Sequence, residues 1–211
     1  MIRGLEPGRR PALLISECQR GVIEHGMTDF EGLADQVRER GILPRIAALA
    51  ALFRAQGWPV FHLHVAHNPD YSELPITSLI MSRSRKNGRM RQGMVDVDSV
   101  PEVAPEPGDI VHSRPYSLLG FNGTDLDTRL RHRGVDTLVV TGVSTNIAIN
   151  GLALCGSDLG YQVVVPEDCT AGASAETHAF MVSNALPLYS TLTSSAAILD
   201  VLGAPGDNSP R

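Results

Sequence analysis

The sequence predicts an α/β fold in which a parallel sheet of six strands carries helices on both faces. Two observations predict it. Short apolar runs alternate with longer amphipathic stretches along most of the chain, the pattern of helices that cross over between parallel strands. The first run, Pro11-Ala-Leu-Leu-Ile-Ser16, is apolar throughout and reads as a buried central strand.

A helix is expected over Leu43 to Gln56, where Ile46, Leu49, Ala50 and Phe53 share one face and Gly57 supplies the stop. Trp58 to Val65 is the second strand. From Asn68 to Pro107 the chain is rich in Pro, Ser, Arg and Gly without sustained periodicity, and is read as a long loop excursion of the kind that carries function. The alternation then resumes. Strands are expected at Asp109 to Ser113, Thr137 to Gly142, Gln162 to Pro166 and Ser190 to Thr193. Helices are expected at Thr124 to Arg133, Thr145 to Leu159, Ser174 to Leu186 and Ala196 to Leu202.

The length of 211 residues, with 43% hydrophobic and 19% charged, suits one domain over residues 1–204 with a flexible tail at 205–211. A formal net charge of −5 gives no reason to expect nucleic acid or an anionic membrane as a partner, which leaves a small molecule. Cys18, Cys155 and Cys169 are odd in number and widely spaced, which argues against a disulfide framework and a thiolate metal site. A reducing cytoplasm is expected. No apolar run approaches the roughly 20 residues that span a bilayer.

In an open parallel sheet, ligands bind beyond the carboxyl ends of the strands, near the point where strand order reverses. That rule selects Glu17-Cys18-Gln19, His64 to His67, Ser113 to Ser117 and Gly142 to Ala148. Glu17 stands out, because desolvation at a strand end raises a carboxyl pKa and suits it to acid–base work; the plainer reading is a carboxylate that caps a turn or pairs with an arginine. Gly142-Val-Ser-Thr-Asn146 leads from a strand into a helix, so Ser144 or Thr145 is expected to cap that helix, and its amides could also hold an anion. His62, His64 and His67 offer imidazoles without identifiable partner carboxylates; no metal is expected, and His62 is read as packed in the sheet. Arg83 to Arg91 concentrates basic residues in an expected loop, either simply solvated or acting as a lid over an anionic substrate. Cys155 lies deep on a helix and Cys18 adjoins a carboxylate, so neither is an attractive nucleophile.

Three stretches, Gly123-Thr-Asp-Leu-Asp127, Leu130-Arg-His-Arg-Gly-Val-Asp-Thr-Leu-Val-Val-Thr-Gly-Val-Ser-Thr-Asn-Ile-Ala148 and Gly160-Tyr-Gln-Val-Val-Val-Pro-Glu-Asp168, resemble the isochorismatase-like hydrolases. The resemblance runs from Ala12 to Leu202. It implies a three-layer Rossmann-like fold with a six-stranded parallel sheet and, commonly, a homo-oligomer with sites near subunit contacts. Amidases of that superfamily use an aspartate after strand one, a lysine after strand three and a nucleophilic cysteine at the helix start after strand four. This chain departs from the pattern at all three. The aspartate position is Glu17, in Ser16-Glu-Cys-Gln19; the cysteine position is Ala148, in Thr145-Asn-Ile-Ala148; and the lysine falls at Ser113 or Arg114, depending on register.

A methyl group cannot attack a carbonyl, so the usual acyl-enzyme chemistry is excluded at Ala148. Isochorismatases dispense with the cysteine and use the strand-one acid to protonate a vinyl ether. The resemblance therefore implies a cofactor-free hydrolase in which Glu17 is the acid and Arg114 the fixed cation, with Ser113, Tyr116, Ser144, Thr145, Asn146 and Ala148 around a small, anionic substrate. The alternatives are a pocket that binds without turnover, a structural subunit, or an amidase whose nucleophile is Cys18, Cys155 or an activated water.

Overall fold

The computed structural model describes residues 1–203; the expected tail at 205–211 lies outside them. The elements run β1 (Pro11–Ser16), α1 (Arg20–Ile23), α2 (Glu31–Arg40), α3 (Ile42–Ala55), β2 (Val60–Val65), α4 (Leu79–Asn87), β3 (Ile110–Arg114), α5 (Leu126–His132), β4 (Thr137–Val143), α6 (Asn150–Asp158), β5 (Gln162–Pro166), β6 (Thr170–Ala171), α7 (Ala175–Phe180), β7 (Thr191–Thr193) and α8 (Ser195–Gly203). Strand order is β3-β2-β1-β4-β5-β7, with β6 added beside the end of β4, and every pairing is parallel. The sheet thus has seven strands. The strand beyond the expected six, β6, is only two residues long, too short to leave a pattern in sequence.

Both faces of the sheet are covered. In β1, Leu13 and Ile15 point into a core shared with Ile46, Leu49 and Phe53 of α3 and Ile198 of α8. Ala12 and Leu14 point the other way, against Leu126 and Leu130 of α5 and Leu152 of α6. A strand buried on both sides gains hydrophobic free energy from every side chain, at about 25 cal/mol per Å² of apolar surface. Hence β1 and β4 read as continuous apolar runs.

Three helices depart from the expected pattern. α1 has four residues, and α2 buries Leu33, Ala34 and Val37 before ending at Gly41 in the left-handed conformation. α4 forms within the stretch expected as loop and includes Arg83, Arg85 and Lys86. Its signals are at its ends: Ser78 accepts a hydrogen bond from the Met81 amide, and Gly88 closes the helix at φ 66. Only Met81 is buried, so there is no apolar stripe from which to detect it. The helix expected over Ser174 to Leu186 holds as α7 but widens into a π-type turn at Met181–Ala185.

Among the described residues no helix is long and apolar enough to cross a membrane.

Candidate active site

Strand order reverses between β1 and β4, so the crevice beyond their carboxyl ends is the topological switch point. Gly142 makes that junction fit. It sits at φ 99, and a Cβ there would lie 2.1 Å from the Ser16 carbonyl oxygen, so no other residue is compatible with this approach.

Glu17 follows β1 at φ 53, a left-handed conformation that non-glycine residues rarely adopt and that the surroundings must impose. Its amide donates to the Leu63 carbonyl at 2.9 Å, anchoring it to β2. Its Oε1 accepts a hydrogen bond from Nη2 of Arg114, in an ion pair whose guanidinium side chain is only 2% exposed. The arginine is fixed from behind: Nε donates to Ser117 O at 2.9 Å and Nη2 to Leu118 O at 3.2 Å. Charge-assisted bonds in so dry a setting are strong and directional. Alternation along β3 turns His112 and Arg114 inward and leaves Val111 and Ser113 exposed.

At the end of β4, Ser144 and Asn146 reach the same cavity, and Asn146 Oδ1 accepts from the Ala173 amide at 3.2 Å. The expected cap is not made. Ser144 has no side-chain capping bond, because the turn that follows is π-type and its amides, those of Ile147 and Ile149, bond to the Ser144 carbonyl instead. The Thr145 hydroxyl is fully buried and faces His178 Nδ1 at 2.9 Å; His178 Nε2 lies 3.5 Å from Glu167, which Arg40 holds at 2.9 Å. This chain of contacts pins the turn to α2 and α7.

The cavity has a volume of about 440 Å³. Glu17, His67, Arg114, Ser144 and Asn146 supply polar groups, while Phe30, Leu33, Met81, Met90, Leu118 and Ile147 make an apolar wall. Such a mixture, mostly apolar with a few convergent polar groups, is what small-molecule sites share. Ser113, Tyr116, Thr145 and Ala148 do not line it. Tyr116 instead donates to Gly123 O at 2.8 Å, and Ala148 is 3% exposed. From the basic stretch Arg89 reaches the cavity wall, 3.7 Å from Asp29, and α4 contributes Ile80, Met81 and Ser84. Asp29, Phe30 and Glu31 were not singled out in sequence; the signal that could have found them is the helical spacing of the apolar residues Leu33, Ala34 and Val37 directly after them.

Among the described residues no three His, Cys, Asp or Glu side chains converge in a metal-binding group. His62 is packed in the sheet against Asp109 at 3.0 Å, a partner that sequence did not identify. His67 is 5% exposed, and burial is the main cause that lowers its pKa; the hydrogen bond to Pro115 opposes this, and the nearby Arg114 charge adds to it. None of the three cysteines lines the cavity. The Cys18 thiol is pushed up to about 12 by burial and, secondarily, by the Glu17 charge; burial also raises Cys155 and Cys169.

A doubly covered parallel sheet with a carboxylate, a buried cation and a cavity at its switch point defines an α/β protein with a preformed pocket at the place where open parallel sheets carry their sites. Comparison with known proteins makes this specific. The isochorismatase domain model matches residues 11–197. The uncharacterised isochorismatase family protein YecD of Escherichia coli O157:H7 is 32% identical over 204 residues, covering 90% of this chain and 95% of its own. The ureidoacrylate amidohydrolase RutB of Methylobacterium radiotolerans is 33% identical over 178 residues, covering 78% and 68% respectively. Among solved structures, an isochorismatase family protein from Desulfovibrio vulgaris superposes with a TM-score of 0.79 at 29% identity, over 92% of this chain and 99% of its own. The chain belongs to the isochorismatase-like hydrolase superfamily.

Proposed function

We propose that the cavity hydrolyses a small, anionic molecule by acid–base chemistry centred on Glu17, with water as nucleophile and no covalent enzyme intermediate. The observation that carries this reading is the Glu17–Arg114 ion pair, set at the β1/β4 crevice and opening on the cavity; Ala148, at the position of the superfamily's cysteine, has only a methyl group to offer. Oε1 of Glu17 is committed to Arg114; the ion pair is the resting carboxylate, and in the reactive form Oε2 carries the proton that passes to the departing atom of the substrate. Arg114 fixes the acid, as an always-charged, planar cation anchored on two carbonyls can. Arg89, whose Nε lies 3.7 Å from Asp29, is placed to attract the anionic end. The relative named as a ureidoacrylate amidohydrolase supports a small carboxylate-bearing substrate. The raised thiols speak against a cysteine nucleophile. We further take the protein to act in the cytoplasm, where its three free cysteines remain reduced, and as a homo-oligomer, as its superfamily resemblance implies.

The test is product formation, followed by mass spectrometry, from vinyl ethers, carboxamides, ureides and lactams by wild type, Glu17→Gln and Ala148→Cys. Turnover by wild type that drops about 10²- to 10⁴-fold in Glu17→Gln is the expected outcome, the range for losing one positioned acid or base. The replaced aspartate, lysine and cysteine positions favour a second reading, a pocket that binds without turnover. An inactive wild type, with amidase activity appearing only in Ala148→Cys, would establish that reading instead.

A further inference from the structure

Acid catalysis at a leaving group is complemented by a base that takes the proton of the water, and the cavity wall holds an imidazole with a ring nitrogen left unpaired among the described residues. His67 ends the turn after β2 and lines the same cavity as Glu17 and Arg114. Its Nδ1 lies 2.6 Å from the Pro115 carbonyl oxygen, which can only accept, so Nδ1 bears the hydrogen. In the neutral ring the lone pair is then on Nε2. That nitrogen has no protein partner among the described residues, and it is not among the sealed, unsatisfied polar atoms, which do include a nitrogen each of His62 and His112. Backbone bonds clamp the residue: its amide donates to Met90 O at 2.6 Å, and its carbonyl accepts from Gln92 N at 2.8 Å. The Tyr71 ring, 5.7 Å away centroid to centroid, packs against the imidazole.

We infer that His67 is a second catalytic acid–base residue of this cavity, the base whose Nε2 takes the proton of the attacking water. This rests on the hydrolytic reading above. As the water oxygen forms its bond to the electrophilic carbon, its proton passes to Nε2. As the bond from that carbon to the departing heteroatom breaks, Glu17 protonates the heteroatom. The cycle leaves His67 as imidazolium and Glu17 as carboxylate, and one proton returned through solvent from the first to the second restores both. Water is the only co-reactant. Burial is the main cause that keeps the ring neutral near pH 7, and the Arg114 charge adds to it; together they outweigh the Pro115 hydrogen bond and the Asp96 charge, which favour the imidazolium.

Two measurements test this. Diethyl pyrocarbonate acylates unprotonated, reachable imidazole nitrogens, and peptide mapping of the treated protein should find His67 modified at neutral pH together with the surface residues His25 and His132, ahead of His112 and His178. Failure to modify His67 while His25 and His132 react would overturn the assignment, whatever the protein turns over. The second is activity on the substrate panel. Asn in place of His67 keeps a donor near Nδ1 for Pro115 and removes Nε2. His67→Asn should lower kcat/KM about 10²- to 10⁴-fold and abolish the acidic limb of the pH profile, with an unchanged denaturation midpoint. Turnover lost in Glu17→Gln but kept in His67→Asn, with that limb intact, would remove His67 alone from the mechanism. A wild type inactive on every probe would remove the hydrolytic reading and the base with it.

Discussion

Replacing Arg114 with Met should destabilise the fold by about 3 kcal/mol, because it leaves a carboxylate in a nearly dry site without its cation. Removing one member of a buried pair typically costs about 3–5 kcal/mol, most of it the desolvation of the charge left behind. Glu17 retains 16% side-chain exposure against 2% for Arg114, so some water can reach the orphaned carboxylate and the lower end of that range applies. The carbonyls of Ser117 and Leu118 lose their donors as well, which sets the floor of the effect. With a urea m-value of about 2 kcal/mol/M, the midpoint should move down by about 1.5 M. The double variant Arg114→Met with Glu17→Met removes both charges and should recover about 1 to 3 kcal/mol relative to the sum of the single changes. Urea denaturation of the four proteins, followed by fluorescence of Trp58 and by circular dichroism, gives each free energy. Arg114→Met within 1 kcal/mol of wild type, and additive with Glu17→Met, would refute the claim that the pair is a desolvated unit.

Acid should weaken the protein through its buried histidines. His64 is lowered from 6.5 to about 4, by burial first and then by His62 and Arg114, so the unfolded chain binds a proton that the fold refuses. The His64 contribution is therefore complete above pH 6.5 and is lost as pH falls from 6.5 towards 4, on the order of 2–3 kcal/mol by pH 4.5. His64→Gln should flatten the fall in unfolding free energy between pH 7 and 4.5 by that amount; equal slopes in the two proteins would contradict the assignment. Ala at Gly142 would force a Cβ to 2.1 Å from a backbone oxygen at a positive φ, and should cost more than about 2 kcal/mol or prevent soluble expression. A thermal midpoint unchanged by Gly142→Ala would show that β1 and β4 can separate there without penalty.

Strands buried on both faces were legible from sequence, because their apolar character is local: each side chain of β1 and β4 meets a core whichever way it points. The switch-point rule likewise selected Glu17, Ser144 and Asn146, which the fold brings to one cavity, without any contact being known. α4 was not legible, since a nine-residue helix burying only Met81 leaves its evidence in two caps rather than in a period. The choice between Ser113 and Arg114 was open in sequence because neighbouring strand residues face opposite sides, and one residue of register exchanges them. The distinctive chemistry of His67 was equally hidden. Its tautomer is set by a carbonyl 48 residues along the chain and its neutrality by packing, and both exist only once β2 and the end of β3 have been brought together.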